Sequence, residues 1–413
     1  MKTLLAAGNP VSRRDWLRAL SFAAAAAACR TPLGAAVPPV APVLTEAQRE
    51  GLRGVLREAI ARKAIPGGAL AVLARGQVVF REALGRAEFE SERPFAIESP
   101  CFIASLSKPI TSTYMMLLDE RGVVSLDDPV EKFLPEFKGI VLKSGGAATT
   151  TLRVWHLLSH RSGLPGNADM GDFRPGSPAN GPDATLASTI TGWVKAGLHA
   201  EPGARFAYGS AGYIVAGRIA EVVHGKRFER LLQEALLDPL GMAHTTFHPD
   251  AATLSAVPAR YQPSPKGPQR DVRVMPLPKA DGLINPAGGL CSRLDDMAAF
   301  LALHLNRGVV GDRRIVKAES LARMYRPHPP RATEAAEGGG VGYGLGWNVM
   351  EAGGGRVRHL GASGTLAWLD LKRENAGVLL TQVKWGNAKQ LIPRLMKEVQ
   401  EIFPDAAASK AAR

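Results

Sequence analysis

The sequence predicts an α+β protein whose antiparallel sheet is flanked by N- and C-terminal helices and carries an inserted all-helical domain. Apolar runs of strand length occur near both ends of the chain, whereas the middle shows mostly helical periodicity. The simplest arrangement that pairs these strands is a single sheet built from both ends of the chain. The predicted strands cover residues 68–74, 77–84, 341–350, 356–360, 366–372 and 376–383.

The N-terminal helix and the first two strands follow from local signals. Thr45 and Gln48 form a capping-box pattern, and an apolar stripe at 52–60 then predicts a helix. Pro66-Gly67 ends that helix. Two apolar runs then meet across Arg75-Gly76, which predicts a β-hairpin.

The remaining helices are predicted from apolar periodicity and caps. Ser292 and Asp295 form a second capping-box pattern, which predicts a helix through about His304. Apolar residues between 391 and 403 line a terminal helix. The other predicted helices cover about 105–121, 151–160, 185–196, 211–224 and 227–237, with long Gly/Pro-rich loops near 165–182 and 258–281.

The chain therefore divides into predicted regions of different character. The folded domain covers 45–403, with its α/β part at about 45–104 plus 285–403 and its helical part at about 105–284. Residues 404–413 are predicted to be a disordered tail.

Composition and charge exclude some functional classes. The chain has 413 residues, of which 46% are hydrophobic and 22% charged, and it contains no run of 18 apolar residues that would indicate a membrane-spanning helix. The formal net charge is +13. The basic residues are scattered rather than interleaved with aromatics, so we do not expect nucleic-acid binding. A basic surface favours association with anionic cell-wall polymers or lipid headgroups, and we expect a monomer.

Residues 1–36 resemble an export signal. Adjacent Arg13 and Arg14 precede a short alanine-rich apolar stretch, which is typical of a twin-arginine signal and predicts a periplasmic protein. Two cleavage sites compete: one before Cys29, which would make a lipid anchor, and one after Ala36, which would release a soluble protein. If the protein is exported, Cys101 and Cys291 could form a disulfide, although their spacing does not show that they are close.

Ser105 and Lys108 are the first candidates for catalysis. They are three residues apart at the predicted start of a helix, a spacing that places both side chains on one face. A lysine whose ammonium form is disfavoured can remove the serine proton, and the helix N-terminus favours a developing oxyanion. Serine and lysine are common, so this pattern alone is also compatible with an ordinary amphipathic helix start.

Further candidates lie far away in the chain. Tyr208 could act as a base beside a lysine, although a lone tyrosine is more often structural. His359 precedes Gly361 at the end of a predicted strand and is expected to carry partial positive charge near neutral pH. His156 and His160 have the i,i+4 spacing of a metal pair, but the glutamate of an H-E-x-x-H motif is missing and we expect neither metal nor cofactor.

Together these residues resemble the serine β-lactamase and penicillin-binding-protein superfamily, in the branch of class C β-lactamases, D,D-peptidases and related esterases. The resemblance covers roughly 45–403 and rests on Ser105-x-x-Lys108, Tyr208-x-Ser210 and His359-x-Gly361 in that order. It implies the β-lactamase/transpeptidase-like fold. Between and beside these motifs, further segments also resemble the family, at 156–165, 202–203, 238–242, 287–290 and 342–347.

The resemblance implies roles for these residues. Ser105 would be the acylated nucleophile and Lys108 its base, with Tyr208 as a second base. The backbone N–H groups of Ser105 and Ala362 would form the oxyanion hole. His359 takes the place of a lysine found in β-lactamases, which is more typical of peptidase and esterase members.

Ser210 departs from the family pattern, because asparagine is common there and contacts both the catalytic lysine and the substrate amide. This departure puts recognition of lactams or peptides in doubt more than activation of the nucleophile.

We expect an exported hydrolase of small esters, amides or peptides, of carboxylesterase or D-amino-acid/D,D-peptidase type. A class C-like β-lactamase and a non-catalytic protein that binds cell-wall peptide are the alternatives.

Overall fold

The computed structural model describes residues 41–168, 184–271, 282–328, 340–351, 353–386 and 390–404. The predicted export signal at 1–36, with Cys29, lies outside the described residues. Most of the predicted tail and parts of both long loops also lie outside them.

The described residues form the following helices and strands. The helices are α1 (Glu46–Ala61), α2 (Ser107–Glu120), α3 (Val154–Leu158), α4 (Leu186–Ala196), α5 (Ala211–His224), α6 (Phe228–Leu232), α7 (Ala251–Ala256), α8 (Leu294–Leu305), α9 (Ala318–Met324) and α10 (Leu391–Ile402). The strands of the main sheet are β1 (Gly67–Ala74), β2 (Gln77–Gly85), β9 (Gly342–Tyr343), β10 (Asn348–Val349), β11 (Arg356–Gly361), β12 (Thr365–Asp370) and β13 (Asn375–Leu380). Three two-residue pairs complete the set: β3 (Cys101–Phe102) with β6 (Cys291–Ser292), β4 (Tyr261–Gln262) with β5 (Gln269–Arg270), and β7 (Val309–Val310) with β8 (Arg313–Arg314).

The main sheet joins the two ends of the chain, which confirms the predicted α+β fold class. Its seven strands follow the order β2-β1-β13-β12-β11-β10-β9, and each neighbouring pair is antiparallel. The N-terminal strand β1 thus pairs with the C-terminal strand β13, with Ala69 opposite Leu380. The helices α2 to α7 lie between β2 and β11 in sequence.

Both faces of the sheet are covered, and this explains the continuous apolar sequence of β1. Leu70 and Val72 point to the face on which α1 and α10 pack, where Leu52 and Leu395 are fully buried. Leu73 points to the opposite face, which belongs to the core that includes α8 and the helical region. A strand buried on both faces needs apolar residues at consecutive positions rather than in alternation. Each fully buried leucine or valine stabilises the fold by roughly 1.5–3 kcal/mol.

The predicted N-terminal signals form as expected. Thr45 caps α1, and both hydrogen bonds of its capping box with Gln48 are present. The hairpin turn places Arg75 and Gly76 at φ values of 50° and 75°. Two successive positive φ values are typical of the tight turns that match the twist of a hairpin.

The second capping box was wrongly predicted. Helix α8 begins at Leu294 with Arg293 as its N-cap, and no side chain makes a capping hydrogen bond. Ser292 instead belongs to β6, where it lies opposite Cys101, and its hydroxyl hydrogen-bonds that of Thr245 at 2.8 Å. Tertiary strand pairing therefore engages the residue that the local pattern assigned to the cap.

Among the described helices, none combines the length and apolar character needed to cross a membrane.

Candidate active site

The turn that carries Ser105 is held in an unusual backbone conformation. Ala104 has a φ of 48°, a left-handed value that costs an L-residue about 1–2 kcal/mol. Residues Ala104–Leu106 form a single 3₁₀ turn that leads directly into α2. Ser105 is half-buried in this first turn, and the N–H of the next residue, Leu106, donates to the carbonyl of Ile103 at 3.2 Å. The local fold thus presents the Ser105 hydroxyl at the start of a helix, where the helix dipole favours negative charge.

Lys108 lies within hydrogen-bond distance of this hydroxyl. Its Nζ donates to Ser105 Oγ at 3.1 Å and to the carbonyl of Ala287 at 3.0 Å. The Lys108 side chain is 1% exposed. Burial shields the amine from bulk water and holds it against the Ser105 hydroxyl, which is the position that a general base requires.

A loop at 286–290 fixes the first turns of α2. Thr111 donates its hydroxyl proton to the carbonyl of Pro286 at 2.7 Å, and the N–H of Leu290 donates to Ser107 Oγ at 3.2 Å. The same loop supplies the Ala287 carbonyl that Lys108 contacts. Several independent hydrogen bonds therefore restrict the orientation of Lys108 toward Ser105.

Tyr208 lies beside Lys108, more than 90 residues away in sequence. The Lys108 Nζ is 4.7 Å from the centroid of the Tyr208 ring, within the range of a cation–π contact. Ser210, two residues later, is the N-cap of α5, but its side chain makes no capping hydrogen bond. The structure therefore brings Ser105, Lys108 and Tyr208 together and places Ser210 at the start of the adjacent helix.

His359 lies deep in the site as a neutral imidazole. Its Nδ1 is 3.0 Å from the carbonyl of Leu360 and its Nε2 is 3.0 Å from the hydroxyl of Tyr343. Since a carbonyl only accepts, Nδ1 carries the proton and Nε2 accepts from Tyr343. Burial, and then the charge of Lys108, lower the pKa of His359 to about 3. The expected partial positive charge is therefore absent near neutral pH.

A second histidine, His160, packs against Tyr208. Its ring centroid is 4.5 Å from that of Tyr208 and 4.6 Å from that of Tyr343. Its Nδ1 accepts a hydrogen bond from the N–H of Gly209 at 3.3 Å, and its φ is 59°. Burial, followed by the charges of Lys108 and His359, lowers the pKa of His160 well below the ordinary value. Lys108 and Tyr208, the two candidate bases, are thus surrounded by uncharged aromatic rings.

Gly361 allows the end of β11 to lie against the turn that carries Ser105. A Cβ at this position would be 2.0 Å from Thr365 Oγ1 and 2.4 Å from the carbonyl oxygen of Ile103. Thr365 Oγ1 donates to that same carbonyl at 2.9 Å. Ala362 follows directly and is exposed. This contact places the predicted oxyanion donor Ala362 at the strand end that packs on the Ser105 turn.

The two histidines with i,i+4 spacing do not form a pair. Helix α3 ends at Leu158, so His160 is not on its face, and His156 Nδ1 instead accepts from the N–H of Arg153 at 2.9 Å. Within the described parts of the chain, no three His, Cys, Asp or Glu side chains are grouped as a metal site would require.

Cys101 and Cys291 are both buried free thiols.

Sequence reasoning missed that three aromatic side chains lie next to the candidate catalytic groups. Tyr343 entered only as part of a family-like segment, and His160 only as part of such a segment and as a possible metal ligand with His156. Tyr213 lies three residues after Ser210 on α5, is buried, and donates its hydroxyl proton to the carbonyl of Leu158 at 2.9 Å. The sequence signal for Tyr213 was its i+3 spacing from Ser210 on one helix. Such a spacing does not reveal that Tyr213 lies beside Lys108, which is distant in sequence.

Comparisons with known proteins agree with this geometry. A family model described as Beta-lactamase matches residues 52–399. Esterase EstB from Burkholderia gladioli is 29% identical over 343 residues, which cover 73% of this chain and 80% of that protein. Penicillin-binding protein 4 from Amycolatopsis lactamdurans is 27% identical over 293 residues, covering 70% and 72%. The solved structure of EstCE1, "a hydrolase with promiscuous acyltransferase activity", has the same fold, with a TM-score of 0.72 at 23% identity over 86% of this chain and 98% of that chain.

Proposed function

Because the chain belongs to the β-lactamase family and is a serine hydrolase, we propose that it cleaves small carboxylic esters through a covalent acyl-serine intermediate. The observation that carries this proposal is the 3.1 Å hydrogen bond from Lys108 Nζ to Ser105 Oγ beside the Tyr208 ring. A serine with a buried amine as its hydrogen-bond partner is the arrangement that an activated nucleophile requires.

The proposed reaction has two steps. Neutral Lys108 removes the Ser105 proton as Oγ attacks the ester carbonyl carbon, and the N–H groups of Ser105 and Ala362 bind the resulting oxyanion. The intermediate collapses as the carbon–oxygen bond to the alcohol breaks, and the departing alkoxide receives a proton through Tyr208. Water then attacks the acyl carbon and loses its proton to Lys108 and Tyr208. The bond between the acyl carbon and Ser105 Oγ breaks, which releases the carboxylic acid and restores the Ser105 hydroxyl.

The environment of His359 favours an ester over a substrate that carries a carboxylate next to the scissile bond. β-Lactams and peptides ending in D-alanine carry such a carboxylate, and its recognition requires a cation or free hydrogen-bond donors. His359 is neutral, and its two ring nitrogens are engaged by Leu360 and Tyr343. An ester of a simple alcohol has no such charge to satisfy. The similarity to EstB, an esterase, also supports this choice.

Hydrolysis of D-amino-acid peptides is the second candidate. The similarity to penicillin-binding protein 4 favours it. Ser210 argues against it, because a serine hydroxyl is shorter than an asparagine amide and offers fewer hydrogen bonds to a substrate amide.

A substrate panel tests the proposal. We expect p-nitrophenyl butyrate to be hydrolysed with a kcat/KM about 100-fold above that of nitrocefin or a D-Ala-D-Ala peptide, and Ser105→Ala to remove this activity. Faster turnover of nitrocefin or the peptide would overturn the ester proposal and leave the serine-hydrolase assignment intact.

We further propose that the protein is exported and acts as a monomer in the periplasm. Arg13 and Arg14, followed by the alanine-rich stretch, support a twin-arginine route. Changing both arginines to lysine should retain the enzyme in the cytoplasm, as measured by fractionation. Unchanged export would contradict this route, and globomycin-sensitive processing of the precursor would assign a lipid anchor to Cys29.

A further inference from the structure

The segment that carries Tyr208 is held on both sides by a single residue, His160. The backbone carbonyl of His160 accepts a hydrogen bond from the N–H of Ala207 at 2.8 Å. Its side-chain Nδ1 accepts another from the N–H of Gly209 at 3.3 Å. These two contacts lie immediately before and after Tyr208, so His160 restricts the backbone on both sides of the candidate base.

The backbone of His160 is strained where it makes these contacts. Helix α3 ends at Leu158, and His160 has a left-handed φ of 59°. Such a value is unfavourable for a residue with a side chain, and it persists only where the surrounding contacts compensate for it. Strained residues of this kind are concentrated at functional sites, which indicates that His160 does more than fill the core.

The hydrogen bonding of the His160 ring shows what a histidine provides here. Because Nδ1 accepts from Gly209, the proton of the neutral ring is on Nε2. The side chain is 4% exposed, and Nε2 is buried without a hydrogen-bond partner among the described residues. An unpaired buried donor is unfavourable, so a phenylalanine would fill the same space at a lower cost. The advantage of histidine over phenylalanine at this position is therefore the Nδ1 acceptor.

The opposite side of the Tyr208 segment is also restricted. The carbonyl of Tyr208 accepts from the N–H of Asn167 at 2.8 Å. A Cβ at Gly209 would lie 3.0 Å from the Cα of Gly166, so the two chain segments are already in close contact there. The segment is thus enclosed between His160 and residues 166–167, and loss of the Gly209 hydrogen bond leaves one flank of Tyr208 less restrained.

We propose that His160 is a positioning residue that holds Tyr208 where it delivers a proton to the leaving group, an inference that rests on the proposed ester hydrolysis. As the carbon–oxygen bond of an ethyl ester breaks, its electron pair passes to the ethoxide oxygen. That oxygen takes up, through Tyr208, the proton that Lys108 removed from Ser105, and it leaves as ethanol. A p-nitrophenolate is a stable anion that leaves without a proton. Displacement of Tyr208 should therefore slow the ethyl ester selectively.

The test compares kcat/KM for ethyl butyrate and p-nitrophenyl butyrate in variants of position 160. His160→Phe keeps a ring but lacks the Nδ1 acceptor. Its kcat/KM should fall about 100-fold for ethyl butyrate and less than about tenfold for p-nitrophenyl butyrate. His160→Gly tolerates the left-handed backbone and should show the same selective loss, so the test does not depend on the folding of His160→Phe.

Two further variants serve as controls for these losses. The side-chain oxygen of asparagine occupies the position of Nδ1, and asparagine also tolerates a left-handed φ, so His160→Asn should keep the ratio of the two kcat/KM values within about threefold of the wild type. His244 is exposed, and His244→Phe should change neither value. A selective loss in His160→Asn as large as that in His160→Phe would refute the role of the Nδ1 acceptor.

A double variant tests whether His160 acts through Tyr208. Tyr208→Phe should produce the selective loss by itself, and adding His160→Phe should cause no further selective loss. Equal losses for both esters in His160→Phe and His160→Gly, or a further selective loss in the double variant, would overturn the positioning role. A wild-type protein that hydrolyses neither ester would overturn the proposed function itself, and the role of His160 with it.

Discussion

Replacing Gly361 by alanine should reduce catalysis by displacing β11 from the nucleophile turn. The added Cβ would lie 2.4 Å from the Ile103 carbonyl oxygen and 2.0 Å from Thr365 Oγ1. Ordinary contact requires about 3.5 Å, so the strand end must move by roughly 1 Å. The Thr365 hydroxyl cannot simply rotate away without losing its 2.9 Å hydrogen bond to Ile103.

The displacement changes the position of Ala362 relative to Ser105. A misplacement of about 1 Å at a catalytic group can reduce the rate about 100-fold. We therefore expect kcat for p-nitrophenyl butyrate to fall about 100-fold with KM changed less than threefold. Overpacking should also lower the free energy of unfolding by about 1–3 kcal/mol.

Gly353→Ala is the matched control, because its Cβ would meet no atom of the described residues within 4 Å, chain neighbours aside. Steady-state kinetics and urea unfolding of both variants separate the catalytic effect from a folding defect. A folded Gly361→Ala enzyme that retains kcat within threefold of the wild type would refute the proposed role of this contact.

Three further changes have defined expected outcomes. Ser210→Asn should raise the ratio of amide to ester kcat/KM about tenfold if the serine limits amide recognition, and an unchanged ratio would remove that explanation. Tyr343→Phe leaves the buried Nε2 of His359 without a donor and should lower the free energy of unfolding in urea by about 1–3 kcal/mol; a loss below about 0.5 kcal/mol would contradict the hydrogen bond. His304 and His359 are fully buried with pKa values lowered to about 3, so the stability present above pH 6.5 should fall as the pH drops toward 3. By pH 5 the loss should reach about 2 kcal/mol for each, and urea curves that show equal or greater stability at pH 5 than at pH 7.5 would refute this sign.

Much of the sheet was predictable because its signals are local. The apolar run of β1 and the turn at Arg75-Gly76 determine the hairpin without reference to distant residues. Ser292 was assigned wrongly because its role depends on pairing with Cys101, almost 200 residues away. Local patterns predict an element well where tertiary pairing does not compete for the same residue.

The candidate site was predictable only in part. Ser105 and Lys108 are linked by a helical spacing, but Tyr208 and His359 were assigned through the family resemblance. The neutrality of His359 depends on burial and on the charge of Lys108, which belongs to a different element. The contact of His160 with Tyr208 depends on a left-handed backbone position, which the sequence pattern does not reveal.

The acyl-enzyme at Ser105 is the most direct test of the central claim. Rapid acid quenching during turnover of p-nitrophenyl butyrate, followed by peptide mass mapping, should locate a butyryl group on Ser105. The Ser105→Ala protein should carry no acyl group and should not hydrolyse the ester. An acyl group on another residue, or undiminished hydrolysis by Ser105→Ala, would contradict the account.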